Sequence, residues 1–227
     1  MNVYRERIFP LLAGVLWAIF LILDIFQLGD STWIKFFSIC LCCLTALFGT
    51  HTVDGKLVAA ALCLTVGADW FLLVRDDHYL WGIGLFTVVQ LIYAYRLCLH
   101  RDKLISWHIF VRLLALGAAI LIACRGDWIK AFAVFCFANL SANVHEGYTG
   151  VYPGSGDSLT ILTRPLRNRF GWGLFLFFWC DLCVGLYNLG IFTSFTRVGM
   201  WLFYLPSQVL IVLSQELEKG DMDEKTI

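Results

Sequence analysis

The chain has 227 residues, 59% of them hydrophobic and only 15% charged, against roughly 45–50% and about 25% in soluble globules. A water-soluble fold is excluded on that balance, and a lipid bilayer becomes the expected solvent. The 17 Lys and Arg match 17 Asp and Glu, so the zero net charge offers no electrostatic footprint for nucleic acid, and no nucleic-acid partner is expected.

Taken in order, eight apolar runs are expected to be membrane-crossing helices: 8–27, 33–49, 57–74, 79–98, 106–124, 128–144, 170–190 and 198–214. Each is close to the roughly 17–25 residues a spanning helix needs. Each is continuous rather than alternating, which argues against barrel strands. The expected fold class is all-α, a polytopic membrane protein built as one transmembrane domain over 1–227 with a polar tail at 215–227. Arg5 and Arg7 precede the first run, but no small-residue cleavage site follows it, so that run is expected to be retained. The longest break is Glu146 to Arg169, EGYTGVYPGSGDSLTILTRPLRNR. Its Gly, Pro and Ser residues read as a loop, with a short interfacial piece expected from Ser158-Leu159-Thr160 onward, and Arg164, Arg167 and Arg169 read as a headgroup anchor to membrane lipids.

With alternating spans, 11 Lys and Arg fall on one side of the membrane and five on the other, Arg112 lying inside the fifth run. The richer side is the cytoplasmic one. Both termini are expected there, in a bacterial plasma membrane. The nine cysteines lie in or at the ends of apolar runs, where thiols pack as small hydrophobes. Cys180-x-x-Cys183 has a redox or metal spacing, and packing is the reading adopted. The five histidines sit in loops or at run ends without ligand spacing, so neither a metal nor a cofactor is expected. The chain has no phosphate loop and no Gly-x-Ser-x-Gly elbow.

Three acids lie inside apolar runs: Asp24, Asp69 and Asp181. A charge at bilayer depth costs about 2.5–3.5 kcal/mol and usually faces a bundle interior or a wet cavity. Uncharged polar groups recur at similar depth, Gln90 with Tyr93, Asn139 with Asn143, and Tyr204 with Ser207 and Gln208, each set at helical spacing. Interhelical hydrogen bonding is one reading of these groups, and lining of a common chamber is the other.

The stretch GADWFLLVRDDHYLWGIGLFTVVQLIYAY resembles a family block in which a span ends Gly-Asp-x-x-Leu-Leu, followed by an acidic turn and Gly-x-x-x-Phe-x-x-x-His-x-x-Tyr. WGLFLFFWCDLCVGL is similar to the same family's Gly-x-x-Leu-Phe-x-x-Ser-Asp block, and FYLPSQVLIVLS to its closing Tyr-x-x-x-Gln-x-Leu-Ile-x-x-Ser. The family is YhhN, the lysoplasmalogenase-like integral membrane proteins. Gln90 stands at the family's histidine, Ala68 separates the glycine from Asp69, and Cys180 replaces the serine. The resemblance implies a hydrolase that cleaves the vinyl-ether bond of a lysophospholipid substrate, a lysoplasmalogen, to a fatty aldehyde and a glycerophospho-alcohol. Two intramembrane carboxyls suit that chemistry, one protonating the alkene carbon and one activating water. Asp69 and Asp181 are the expected catalytic pair, with Gln90, Tyr93, Asn139, Gln208 and Asp24 around the substrate. A small proton-coupled transporter and a non-catalytic lipid-binding member remain the alternatives, and the oligomeric state is left open.

Overall fold

The structure is a computed structural model that describes residues 4–99, 106–149 and 158–215. Among the described residues every regular element is helical. A π-helical turn, Tyr4–Ile8, leads into α1 (Phe9–Phe26), followed by α2 (Thr32–Leu47) and α3 (Val53–Asp69). α3 continues through a second π turn, Trp70–Val74, before α4 (Tyr79–Leu99), α5 (Ser106–Ala123), α6 (Trp128–Thr149), α7 (Ser158–Asn188) and α8 (Thr193–Leu213). Five segments are long and apolar enough to cross a membrane: Tyr4–Phe26, Val53–Val74, Tyr79–Leu99, Asn168–Asn188 and Thr193–Leu213. α2 and the Ile109–Ala123 part of α5 are apolar but shorter. α6 carries Asn139, Ser141, Asn143, His145 and Glu146 and is not among the five.

The expected break at 146–169 is corrected at both ends. α6 runs on to Thr149 and α7 begins at Ser158, so Glu146 is a buried helical residue rather than the start of a loop. Gly147 does not end α6. It lets α7 come close, since a Cβ there would stand 3.3 Å from the Gly171 Cα. Arg169 donates to Glu6 at 3.0 Å and to the Leu213 carbonyl at 3.3 Å. The side chains of Arg164 and Arg167, and the tail from 216 onward, lie outside the described residues.

Six helices close into a ring. α2 packs on α3, α3 on α4, α4 on α6, α6 on α7, α7 on α8, and α8 returns to α2. α1 lies outside the seam between α2 and α8, and α5 lies outside α6. Among the described side chains of α5, Ala115 and Ala119 are the buried apolar ones, and Leu113, Leu114, Ile120 and Leu121 remain exposed, as suits a lipid-facing helix. At the turn into α6, Asp127 accepts the Lys130 amide at 3.1 Å and its ammonium at 2.7 Å. The ammonium bond first, and then the amide, hold that carboxyl below the ordinary aspartate range.

One end of the ring is plugged. The last carbonyls of a helix have no intrahelical partner, and at α8 three arginines supply them. Arg5 donates to Val212 and Gln215, Arg169 to Leu213, and Arg96 to Ser214. Arg96 also grips both oxygens of Asp54, at 2.6 and 2.8 Å, with its guanidinium 4.2 Å from the Phe170 ring centroid. Gln215 turns back to the carbonyls of Ala46 and Gly55 at 3.0 and 3.2 Å. Elsewhere in α8, Pro206 lacks the N–H that would bond the Leu202 carbonyl. Trp17 of α1 fills that gap, its Nε1 donating to Leu202 at 3.3 Å.

The plug requires a glycine at its centre. A Cβ on Gly55 would stand 1.7 Å from the Gly49 carbonyl oxygen, which is backbone and cannot swing aside. Gly55→Ala is therefore expected to lower the thermal midpoint of the purified protein in detergent by several degrees. Gly117→Ala, whose Cβ meets nothing within 4 Å, is the control expected to leave the midpoint unchanged.

Candidate functional site

The ring interior is polar at mid-height, where an apolar core would be the default. Asp69 is the last residue of α3 before the π turn, a helical distortion that recurs at functional sites. It is buried, and its Oδ2 accepts the Tyr204 hydroxyl of α8 at 2.8 Å. The phenol is held in an aromatic wall. Trp201, Phe177 and Phe86 lie 5.2, 5.7 and 6.3 Å from its ring centroid, and Phe86 and Phe177 touch each other at 5.7 Å.

Asp181 lies one turn beyond Phe177 on α7 and is half-buried. It has no hydrogen bond or ion pair with any described residue. The two carboxyls do not form a hydrogen-bonded dyad. What links them is Tyr204, which donates to Asp69 and packs on Phe177, one turn before Asp181 on α7. Depth can be read along the helices from the plug at Arg96. Asp181 is 11 residues beyond Phe170, about 16 Å at 1.5 Å per residue. Asp69 is 15 residues beyond Asp54, about 22 Å by the same rise.

Beneath the carboxyls, on the plug side, lie Gln90, Tyr93, Asn139 and Gln208, all fully buried. Each has a polar atom without a partner: Gln90 Nε2, the Tyr93 hydroxyl, Asn139 Nδ2 and Gln208 Oε1. An unsatisfied buried group costs about 1–3 kcal/mol, so four within one ring call for an explanation beyond packing. Asp24 is placed elsewhere. It is ion-paired to Lys35 at 2.7 Å and accepts Ser31 at 2.5 Å, with the ammonium over Trp201 at 5.1 Å.

Sequence reasoning passed over Arg112 and Glu146. From α5, Arg112 donates Nε to Asn139 Oδ1 and Nη2 to Asn143 Oδ1, both at 2.6 Å, and reaches Glu146 at 3.1 and 3.4 Å. The signal was present as Asn139, Asn143 and Glu146 at steps of four and three on one helical face. Ending the span at 144 hid it. Tyr204 as the partner of Asp69 carried no local signal, since the two are 135 positions apart.

All nine cysteines are free thiols. Cys180 and Cys183 are buried in α7, while Cys43 and Cys63 approach to 3.4 Å between α2 and α3. Among the described residues no group of three or more His, Cys, Asp or Glu is placed to hold a metal ion.

The sequence profile of the YhhN family matches residues 31–215, which covers most of the chain and all the site residues except Asp24. No curated protein and no solved structure is detectably similar to the chain.

Proposed function

Because the chain belongs to the YhhN family, we propose that it is a membrane-embedded hydrolase of the vinyl-ether bond of lysoplasmalogens, with Asp69 and Asp181 as its acid–base groups. The observation that carries this reading is the unequal setting of the two acids. Asp69 accepts the Tyr204 hydroxyl at Oδ2, an arrangement suited to a carboxylate that accepts a proton from water. Asp181 has no such partner and sits at the edge of the aromatic wall, as suits a carboxylic acid that gives up its proton. In the reaction, Asp181 protonates the alkene carbon and the ether oxygen shares the positive charge as an oxocarbenium ion. Water, deprotonated by Asp69, then adds to the carbon bearing that oxygen. The hemiacetal then collapses: Asp69 passes its proton to the departing ether oxygen as the C–O bond breaks, giving the alcohol, and the hemiacetal O–H gives its proton to Asp181, leaving the aldehyde and both acids as they began. The faces of Phe86, Phe177 and Trp201 favour a passing cation and give an alkenyl chain an apolar path.

The ring is plugged at the Arg96 end, so the substrate enters from the Asp181 side, where Val184, Gly185 and Asn188 are exposed. The uneven basic charge makes the plugged end, where Arg5 lies, the cytoplasmic one. The plasma membrane of a bacterium is the setting we propose. Incubating the purified protein with a 1-alkenyl lysophospholipid tests the reading. Fatty aldehyde release is expected, and none from the saturated 1-alkyl analogue, which cannot be protonated at carbon. Failure to release aldehyde in any detergent that keeps the protein folded would end this proposal.

A further inference from the structure

Arg112 lies outside the ring on α5, yet it dictates which way two amides inside the ring face. A guanidinium only donates. Asn139 must therefore turn Oδ1 to Arg112, which leaves Nδ2 on the other side of the amide. Asn143 must likewise turn Oδ1 to Arg112, and its Nδ2 then donates to Gln90 Oε1 at 3.1 Å and to the Gln90 carbonyl at 2.9 Å. Gln90, giving Oε1 to that bond, is left presenting Nε2. The orientation of each amide follows from donor chemistry alone. The result is a pair of N–H₂ groups, Asn139 Nδ2 and Gln90 Nε2, both unpartnered and fully buried. A structural hydrogen-bond network would close on itself, whereas this one ends in two donors.

Donors without acceptors fit an oxygen ligand that has no proton to give. Arg112 strengthens both, because a hydrogen bond accepted by an amide oxygen polarises the N–H₂ of the same amide. Gln90 is six residues above Arg96 on α4, about 9 Å by helical rise, against about 16 Å for Asp181 on the same reckoning. The step from Asp181 to Gln90 suits a glycerol unit with its ether oxygen at Asp181 and its phosphate towards Gln90, with Asn139, one turn further from the plug than the Asn143 that meets Gln90, between the two levels. We propose that Asn139 Nδ2 and Gln90 Nε2, oriented by Arg112 through Asn143, form the seat for the phosphate of the lipid, which enters head first with its chain towards the mouth. This rests on the lipid-binding part of the function proposed above and assigns the headgroup end of the same site. Both nitrogens are closed off from solvent, so the seat opens when the lipid arrives. Arg112 is a positioning residue.

The test is a binding measurement with lipids that cannot be hydrolysed. A saturated 1-O-alkyl glycerophosphate and the 1-O-alkyl glycerol of the same chain are titrated into the full-length protein in detergent, followed by tryptophan fluorescence. The wild type is expected to bind the phosphate lipid at least about tenfold more tightly, an amount that two good donors account for. Asn139→Asp keeps the oxygen that Arg112 needs and exchanges only the inward N–H₂ for an oxygen. It is expected to remove that preference while leaving the alkyl glycerol affinity unchanged. Gln90→Glu makes the same exchange on α4 and is expected to do the same, so misfolding of one variant does not remove the test. A wild type without preference, or a preference that survives in both variants, overturns the seat. Inorganic phosphate displacing the phosphate lipid at comparable concentration overturns its assignment to a lipid. A wild type that shows the preference yet releases no aldehyde from the alkenyl lipid sinks the hydrolase and leaves the seat standing.

Discussion

Replacing Arg96 with methionine lowers the unfolding free energy in detergent by about 3–5 kcal/mol, the usual cost of stranding one member of a buried ion pair. Three groups lose a hydrogen bond together. Asp54, buried at the start of α3, loses the donors at 2.6 and 2.8 Å. The carbonyl and hydroxyl of Ser214, at the end of α8, lose donors at 2.8 Å each. Methionine keeps an apolar stem at this position and removes only the charged head with its bonds and its contact with Phe170, so the loss reports the guanidinium. The double variant Arg96→Met, Asp54→Leu recovers most of the deficit, because replacing a whole buried pair by apolar groups is often close to neutral. Chemical denaturation of the single and double variants gives the coupling energy directly. A single variant within about 0.5 kcal/mol of wild type, the range of an ordinary surface substitution, would show that water reaches this pair and that the ring is not plugged there.

That plug illustrates what the sequence could and could not disclose. The eight apolar runs were readable because hydropathy is local, and each overlaps a helix, though α6 runs on to Thr149 and α7 begins at Ser158, well outside the expected edges. The ring was not, because it depends on which helices neighbour one another, and continuous apolar runs carry no code for that. Arg96 entered only the count of basic residues on one side of the membrane, and Asp54 lies just ahead of the third apolar run, 57–74. Their meeting 42 positions apart needs the α3–α4 pairing to be known first. Asp69 and Asp181 stood out because an acid in oil is expensive wherever its partners lie. The same cost logic applied to Arg112, but it was counted for topology alone. Glu146 opens the stretch whose Gly, Pro and Ser residues read as a loop, although its Gly147 is a place of close helix approach. Asp24 shows the converse. Its depth suggested the chamber, and Lys35, only 11 positions on, holds it at the ends of α1 and α2.

Changing either aspartate to asparagine is expected to reduce aldehyde release by about 10²–10⁴-fold, the range for losing a positioned acid or base. The two losses should differ in kind. Asp181→Asn removes the proton donor, so an alkenyl substrate made more basic at carbon by an added electron-releasing substituent regains part of the rate. Asp69→Asn removes the group that deprotonates water, so a stronger external nucleophile such as hydroxylamine, which needs no base, restores turnover there and not in Asp181→Asn. Tyr204→Phe tests the link between them. A hydrogen bond to a charged group is worth about 1.5–3 kcal/mol, so the rate falls by roughly 10–100-fold through kcat, with little change in KM. If hydroxylamine rescues Asp181→Asn instead, the roles of the two acids are exchanged. If aldehyde release survives both substitutions at wild-type rate, the carboxyls serve the fold, and Tyr204 is one more strut between α3 and α8.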